Sequence, residues 1–316
     1  MIEVAVMLEG QNGLNWPRFQ RIAQAVEDLG FVGLYRSDHY TNANPPDKDS
    51  LELWVSLTWL ASHTERIEFG PMVSPVSFRQ PTMTVRMASA VDDLSNGRLH
   101  LGLGAGWQER EHRNYGWDLL DVKSRMDRFE EGLEVISRLL HSDEPVDFAG
   151  EYFRVQEAIS LPRPQRPGGP PILIGGNGPR RTLPLVAKYA DEWNAVFLAP
   201  EGVRQRNEQL DTLLRENGRQ PGDMRRSLMT GCIFGRDEAE VKRKLEPRNV
   251  TYEELRQEAR LAVGTGNQIV EQLGRWAEAG IYRVMLQWLD LDDLDGLEAM
   301  AKSVLPQVGR GVKRET

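Results

Sequence analysis

The stretch WPRFQRIAQAVEDLGFVGLYRSDHY, residues 16–40, decides the fold class and marks where the chain turns to chemistry. Residues 16–30 carry the apolar spacing of an amphipathic helix, and Gly30 stands where a C-terminal cap belongs. Phe31-Val32-Gly33-Leu34-Tyr35 is a short apolar run of the kind that lies buried in a parallel sheet. Arg36, Ser37, Asp38, His39 and Tyr40 then follow in succession, and a Pro- and Asp-rich loop runs on to Ser50. A buried strand thus delivers an Asp-His pair to its C-terminal tip.

The same unit recurs along the chain. Strands are predicted at 2–8, 31–36, 66–73, 98–104, 170–176, 192–197, 229–235 and 282–288. Helical patterns lie between them at 16–30, 52–63, 81–95, 128–142, 181–190, 203–217 and 267–280, with Thr265 or Asn267 to start the last and Gly280 to end it. Strands alternating with helices imply a parallel sheet with right-handed crossovers. Eight strands point to an α/β fold of the (β/α)8 TIM-barrel type, with a doubly wound sheet as runner-up. The whole chain, 1–316, reads as a single barrel domain. An insertion covers about 107–170, with a small hairpin turning at Ala149-Gly150, and a charged helical excursion covers about 236–264.

Composition narrows the function. Forty per cent hydrophobic and 27% charged residues are those of an ordinary soluble globular protein. The formal net charge of −8 argues against nucleic acid as a partner. No apolar run approaches the ~20 residues of a membrane span. The start, MIEVAVMLEGQ, reads as a first strand and not as a secretory signal. The single Cys232 excludes a disulfide framework and fits a reducing cytoplasm.

In a parallel barrel the active site lies where the strands end, at their C-terminal tips. The tips expected here carry Glu9-Gly10-Gln11, Asp38-His39, Met72-Val73, Gly104-Ala105-Gly106-Trp107, Gly176-Asn177-Gly178-Pro179-Arg180 and Asn194. Asn177-Gly178-Pro179 leads straight into a helix, so its amides form a candidate anion site. Gly102-x-Gly104-x-Gly106 lacks a dinucleotide fingerprint and suggests close approach of a ring or of backbone. His39, His63, His100, His112 and His141 show no metal-ligand spacing, and no GxSxG elbow is present. His63 and His141, near helix ends, read as surface caps. An Asp-His pair, Gly-rich tips and apolar surroundings suit an organic cofactor that carries the hard chemistry.

These residues resemble the luciferase-like monooxygenase superfamily, and within it the coenzyme F420-dependent oxidoreductases. The resemblance runs through residues 16–39, 66–116, 170–194 and 264–288. It implies a barrel with insertions, a homodimer, and a flavin or deazaflavin across the barrel mouth, acting on a small-molecule substrate. By the same resemblance Asp38 and His39 border the ring; chemically, a neutral His39 can relay the hydroxyl proton near pH 7, with the Asp38 carboxylate to orient it. Met72 and Val73 fall where that branch has a non-proline cis peptide behind the ring. Gly106 and Gly176 border the cofactor, while Asn177, Gly178 and Arg180 fall on the loop that holds its phosphate. Trp107 stands where sugar-phosphate dehydrogenases of the branch have a catalytic Glu, with Glu109, Glu111 and His112 further along. Two rivals keep the fold: an FMN-dependent two-component monooxygenase, and a non-catalytic flavin-binding protein.

Overall fold

The first helix spans Trp16–Leu29 in the computed structural model, which describes residues 1–309. The Asn15 side chain accepts from the Arg18 N–H, Pro17 sits in the first turn where an N–H is dispensable, and Gly30 takes φ 93° to end it. Phe19, Ile22, Ala23 and Val26 are its buried face. At the late helix Gly266–Glu278, the Gln268 side chain accepts from the Thr265 N–H at 2.8 Å, and Gly280 follows at φ 97°.

The strands are β1 (Glu3–Leu8), β2 (Gly33–Arg36), β3 (Glu68–Pro71), β4 (Ser74–Pro75), β5 (Leu101–Gly104), β6 (Val146–Ala149), β7 (Arg154–Ala158), β8 (Ile172–Gly175), β9 (Glu192–Val196), β10 (Arg225–Phe234), β11 (Ala262–Gly264) and β12 (Arg283–Gln287). The main sheet runs β3-β2-β1-β12-β10-β9-β8-β5-β4, and its pairings are parallel. β3 and β4 are halves of one strand, interrupted at Met72 and Val73, whose peptide bond is cis. Phe69 bridges Leu99 just ahead of β5, while Ser74 and Pro75 pair with Leu103 and Gly104. The sheet therefore returns on itself as an eight-stranded barrel and not as a doubly wound sheet.

Glycine makes that closing seam. A Cβ on Gly70 would overlap the His100 carbonyl, one on Gly102 would overlap the Pro71 carbonyl, and one on Gly104 would stand 2.6 Å from Val73 Cγ2. Gly-x-Gly on β5 thus answers to close backbone approach and to the Val73 side chain.

Alternation along each strand sends one set of side chains inward and the other toward the helices. On β1, Val4, Val6 and Leu8 join the large core under the helices, while Ala5 and Met7 join Tyr35, Met72, Leu173, Met229 and Met285 inside the barrel. At the N-terminal end the interior is charged. His100 Nε2 lies 3.2 Å from Glu68 and Nδ1 3.3 Å from Glu192, and Arg283 donates to the Tyr35 hydroxyl at 2.7 Å. Burial works against a charged His100, but its two carboxylate neighbours outweigh it and raise the pKa.

Several boundaries differ from expectation; three of them are informative. β10 begins at Arg225, four residues earlier than predicted, because Arg226 pairs with Asp211 and Ser227 with Glu192, so polar residues are satisfied inside a strand. The helix expected from 128 starts at Val122, capped by Asp121, and packs between helices Pro81–Leu94 and Thr182–Tyr189. It is therefore the barrel's own fourth helix, and only the chain flanking it, including the β6–β7 hairpin, is extra. The helix expected over 203–217 starts at Pro200. In the excursion, helices Glu238–Leu245 and Tyr252–Glu258 lead to β11, which pairs with the extended end of β10.

The seam yields a stability prediction. Gly102→Ala should cost about 1–3 kcal/mol, because the added methyl meets backbone that cannot retreat. Gly274→Ala, in a helix with open space around the glycine, should gain about 0.5–1 kcal/mol. Urea unfolding of the two variants checks both signs; equal effects would contradict the seam.

Candidate active site

The strand tips surround a cavity of about 460 Å³ at the C-terminal mouth of the barrel. One wall is Met72 and Val73 with Gly104, Gly106, Gly175 and Gly176; Val196, Phe197 and Met229 stand elsewhere around it. Its polar lining comes from Glu9, Gln11, Ser37, Gln287, Asn194, His39 and Glu111. Trp107 is 61% exposed on the rim and meets the His39 ring edge-on, at 5.4 Å between centroids.

His39 is held from one side. Its Nδ1 lies 2.9 Å from Glu111 Oε1, and the other Glu111 oxygen accepts from the Tyr40 N–H at 3.1 Å. Glu111 is 1% exposed, so its carboxylate is fully committed to this corner. A hydrogen on Nδ1 donating to Glu111 leaves Nε2 as the ring's second site, and among the described residues Nε2 has no partner. Burial pushes the imidazole toward neutrality. The Glu111 hydrogen bond and charge outweigh it, with smaller help from Glu9 and Asp38, so the pKa is raised above its usual value.

Asp38 does not take the place expected for it. It is 4% exposed and absent from the cavity lining; its carboxylate accepts from Ser74 Oγ at 2.7 Å and pairs with Arg79. Asp38 turns to Ser74 and Arg79 and His39 to Glu111, so the two side chains do not share the pocket. Asp38 ties the tip of β2 to β4, and the neighbour that orients His39 is Glu111.

The other expected residues divide. Met72, Val73, Gly106 and Gly176 line the cavity; Asn177, Gly178 and Arg180 do not. The Asn177 side chain clamps Val196, donating to its carbonyl at 2.7 Å and accepting from its N–H at 3.0 Å. The backbone N–H groups of Asn177, Gly178 and Arg180 donate to nothing among the described residues, and Arg180 is exposed. They form a loop with free amides just beyond Gly176. His112 is occupied: Nδ1–H donates to the Gln108 carbonyl at 2.7 Å and Nε2 accepts from Ser77 at 2.8 Å. Burial holds its pKa below the usual value. His63 and His141 bond carbonyls one turn back on their own helices.

Sequence reasoning passed over the role of Glu111 and the place of Gln287. Gln287 ends β12, so the strand-tip rule could have found it. Glu111 needed the register of helix Glu109–Tyr115, which buries Glu111 and exposes Glu109.

The family model of luciferase-like monooxygenases matches residues 2–258. The F420-dependent hydroxymycolic acid dehydrogenase of Mycobacterium tuberculosis is 34% identical over 175 residues, 55% of this chain and 47% of that one. The 4-hydroxyprotoasukamycin monooxygenase of Streptomyces nodosus subsp. asukaensis is 32% identical over 187 residues, 59% of this chain and 48% of that one. The aligned part spans about half the length of these curated relatives. The fold is shared with an F420-dependent secondary alcohol dehydrogenase solved with an F420-acetone adduct, at a TM-score of 0.84 and 20% identity, covering 98% of this chain and 99% of that one.

The His39–Glu111 pair predicts a pH signature. A raised pKa means that the charged pair stabilises the fold fully below the unfolded value of about 6.5 and loses that contribution as pH rises through the folded one. Glu111→Gln should therefore lower the His39 pKa seen by proton NMR, and should cost more stability at pH about 6 than at pH about 9. An unmoved titration would remove Glu111 from this role.

Proposed function

The chain belongs to the luciferase-like monooxygenase family, and from that premise we propose that it is an oxidoreductase that holds coenzyme F420 across the barrel mouth and exchanges a hydride with a small organic molecule. The observation that carries the reading is His39, fixed through Nδ1 by buried Glu111 with Nε2 left for the cavity. The F420-dependent relative among the matches supports the cofactor.

The residues present fit the group. The glycine wall with Met72 and Val73 leaves room for a flat ring, and the free amides of Asn177 and Gly178 suit its phosphate, with Arg180 beside them. F420, when bound, supplies a two-electron hydride acceptor or donor. The chain's own work is to position and to move a proton. His39 Nε2 takes the hydroxyl proton of a substrate alcohol, or returns it in the reverse direction. Glu111 fixes the tautomer and stabilises the charged ring. Trp107 and the apolar walls restrict water.

The rival is FMN with oxygen chemistry, supported by the monooxygenase relative. A deazaflavin has carbon where FMN has the ring nitrogen next to the oxygen-adduct position, so the two readings separate at the cofactor. The working unit in this reading is a single-domain barrel, with the chain flanking helix Val122–His141 and the segment 236–264 as additions. It is a cytoplasmic homodimer; the exposed Val55 and Met83, on adjoining helices, offer apolar surface for a second copy. No helix among the described residues is long and apolar enough to cross a membrane.

Titration with F420, FMN and FAD tests the choice. F420 fluorescence should quench saturably at micromolar protein; tight FMN binding without F420 binding would promote the monooxygenase. Gly178→Val should weaken cofactor binding tenfold or more, since one lost charge-assisted hydrogen bond costs roughly 1.5–3 kcal/mol. His39→Asn should lower turnover by about 10²–10⁴-fold while cofactor affinity moves only a few-fold. Full turnover in that variant would take the proton path away from His39.

A further inference from the structure

The charge of the cavity lining restricts what can react in it. Among the described residues no Lys or Arg side chain lines the cavity, whereas the carboxylates of Glu9 and Glu111 do. The Glu111 charge is taken up by His39 and the Tyr40 N–H. Glu9 is held differently. One oxygen accepts from Gln11 Nε2 at 2.8 Å and the other from Gln287 Nε2 at 2.6 Å. Gln11 is fixed in turn by Ser37, whose Oγ donates to it at 2.8 Å and accepts from the Gly10 N–H at 2.9 Å. All these contacts are neutral, and no cation lies within ion-pair distance of Glu9 among the described residues. The charge is held in place by amides, with no direct ion pair among the described residues.

The position is set by the sheet. β1 and β12 are neighbours with Met7 opposite Gln287, so Glu9 and Gln287 rise side by side from adjacent tips, on the same cavity as His39. A phosphate or carboxylate there would face a fixed negative charge, with no lysine or arginine among the described lining residues to receive it. Pro75, Val196, Phe197 and Met229 add apolar surface to the same cavity.

We propose that the substrate reacting beside His39 is a small uncharged alcohol, or the matching carbonyl compound, and that Glu9 is the residue that rejects anions. The chemical step rests on the F420 reading; the charge preference does not. In the oxidative direction the carbinol C–H bond breaks with its electron pair, which leaves as hydride to the bound deazaflavin. The O–H bond breaks with its proton passing to His39 Nε2, and the C=O bond forms. The alcohol is oxidised and the cofactor reduced, so atoms and electrons balance. Glu9 accepts no proton; it excludes by charge.

A matched series tests this: sec-butyl alcohol, lactate and propylene glycol phosphate, each with a secondary hydroxyl beside a methyl. With F420-loaded protein, loss of the oxidised cofactor's absorbance reports turnover. Saturation-transfer NMR reports binding with and without cofactor. The alcohol should exceed both anions in kcat/KM by on the order of 100-fold or more, the scale of juxtaposed like charges. Glu9→Gln should narrow that gap about tenfold, and so should Gln287→Lys, which sets an ammonium beside Glu9 and covers the case of a misfolded first variant. If F420 fails to bind, the functional reading falls, while NMR on the cofactor-free protein still decides the charge preference. Either anion matching the alcohol, a gap unchanged in both variants, or binding by none of the three compounds would overturn the proposal.

Discussion

The mouth of this barrel depends on one steric constraint, the seam where β5 lies against the broken strand β3–β4. Gly70 and Gly102 let backbone meet backbone, and the Val73 side chain fills the space left by Gly104 and Gly175. Because β5 sits that close, the chain leaving it passes through Gly106, at φ 84°, into helix Glu109–Tyr115. That helix carries Glu111 over the tip of β2 and onto His39. The tautomer of a histidine on one strand is thus set by a contact made possible by missing Cβ atoms on another.

Two groups of charge occupy the two ends of the barrel interior and behave oppositely. At the N-terminal end, His100, Glu192 and Arg283 are buried together with half-buried Glu68, each acid near a cation. Breaking one partner there would strand the other, so the network constrains the fold and lines none of the mouth cavity. At the C-terminal end Glu9 has only amide neighbours. Between them lie Ala5, Met7, Leu173, Met229 and Met285, an apolar layer that keeps the two groups apart. The structural charge is neutralised; the charge that meets a ligand is not.

Local signals were enough to read the barrel. Each strand–helix unit carries its own punctuation, as Asn15, Pro17 and Gly30 do around the first helix, and eight such units admit few arrangements. The strand-tip rule then found much of the cavity's lining, Glu9, Gln11, His39, Met72, Val73, Gly104, Ala105, Gly106, Trp107, Gly176 and Asn194, because their places follow from where strands end. Boundaries slipped where polar residues were satisfied inside elements, as at Arg226 and Ser227.

The sequence by itself determined which residues reach the mouth; only the tertiary structure decided which of them meet. Asp38 and His39 are adjacent in the chain just past the end of β2, yet their side chains take different partners. Asp38 goes to Arg79 and Ser74, and His39 goes to Glu111, 72 residues away. Nothing local distinguishes Glu111 from Glu109; the packing of one short helix against the tip of β2 does. Glu9 likewise reads as one acid among many until β12 places Gln287, and no cation, beside it. Distance along the chain sets what an element is, and distance through space sets the charge, tautomer and partner of each side chain it carries.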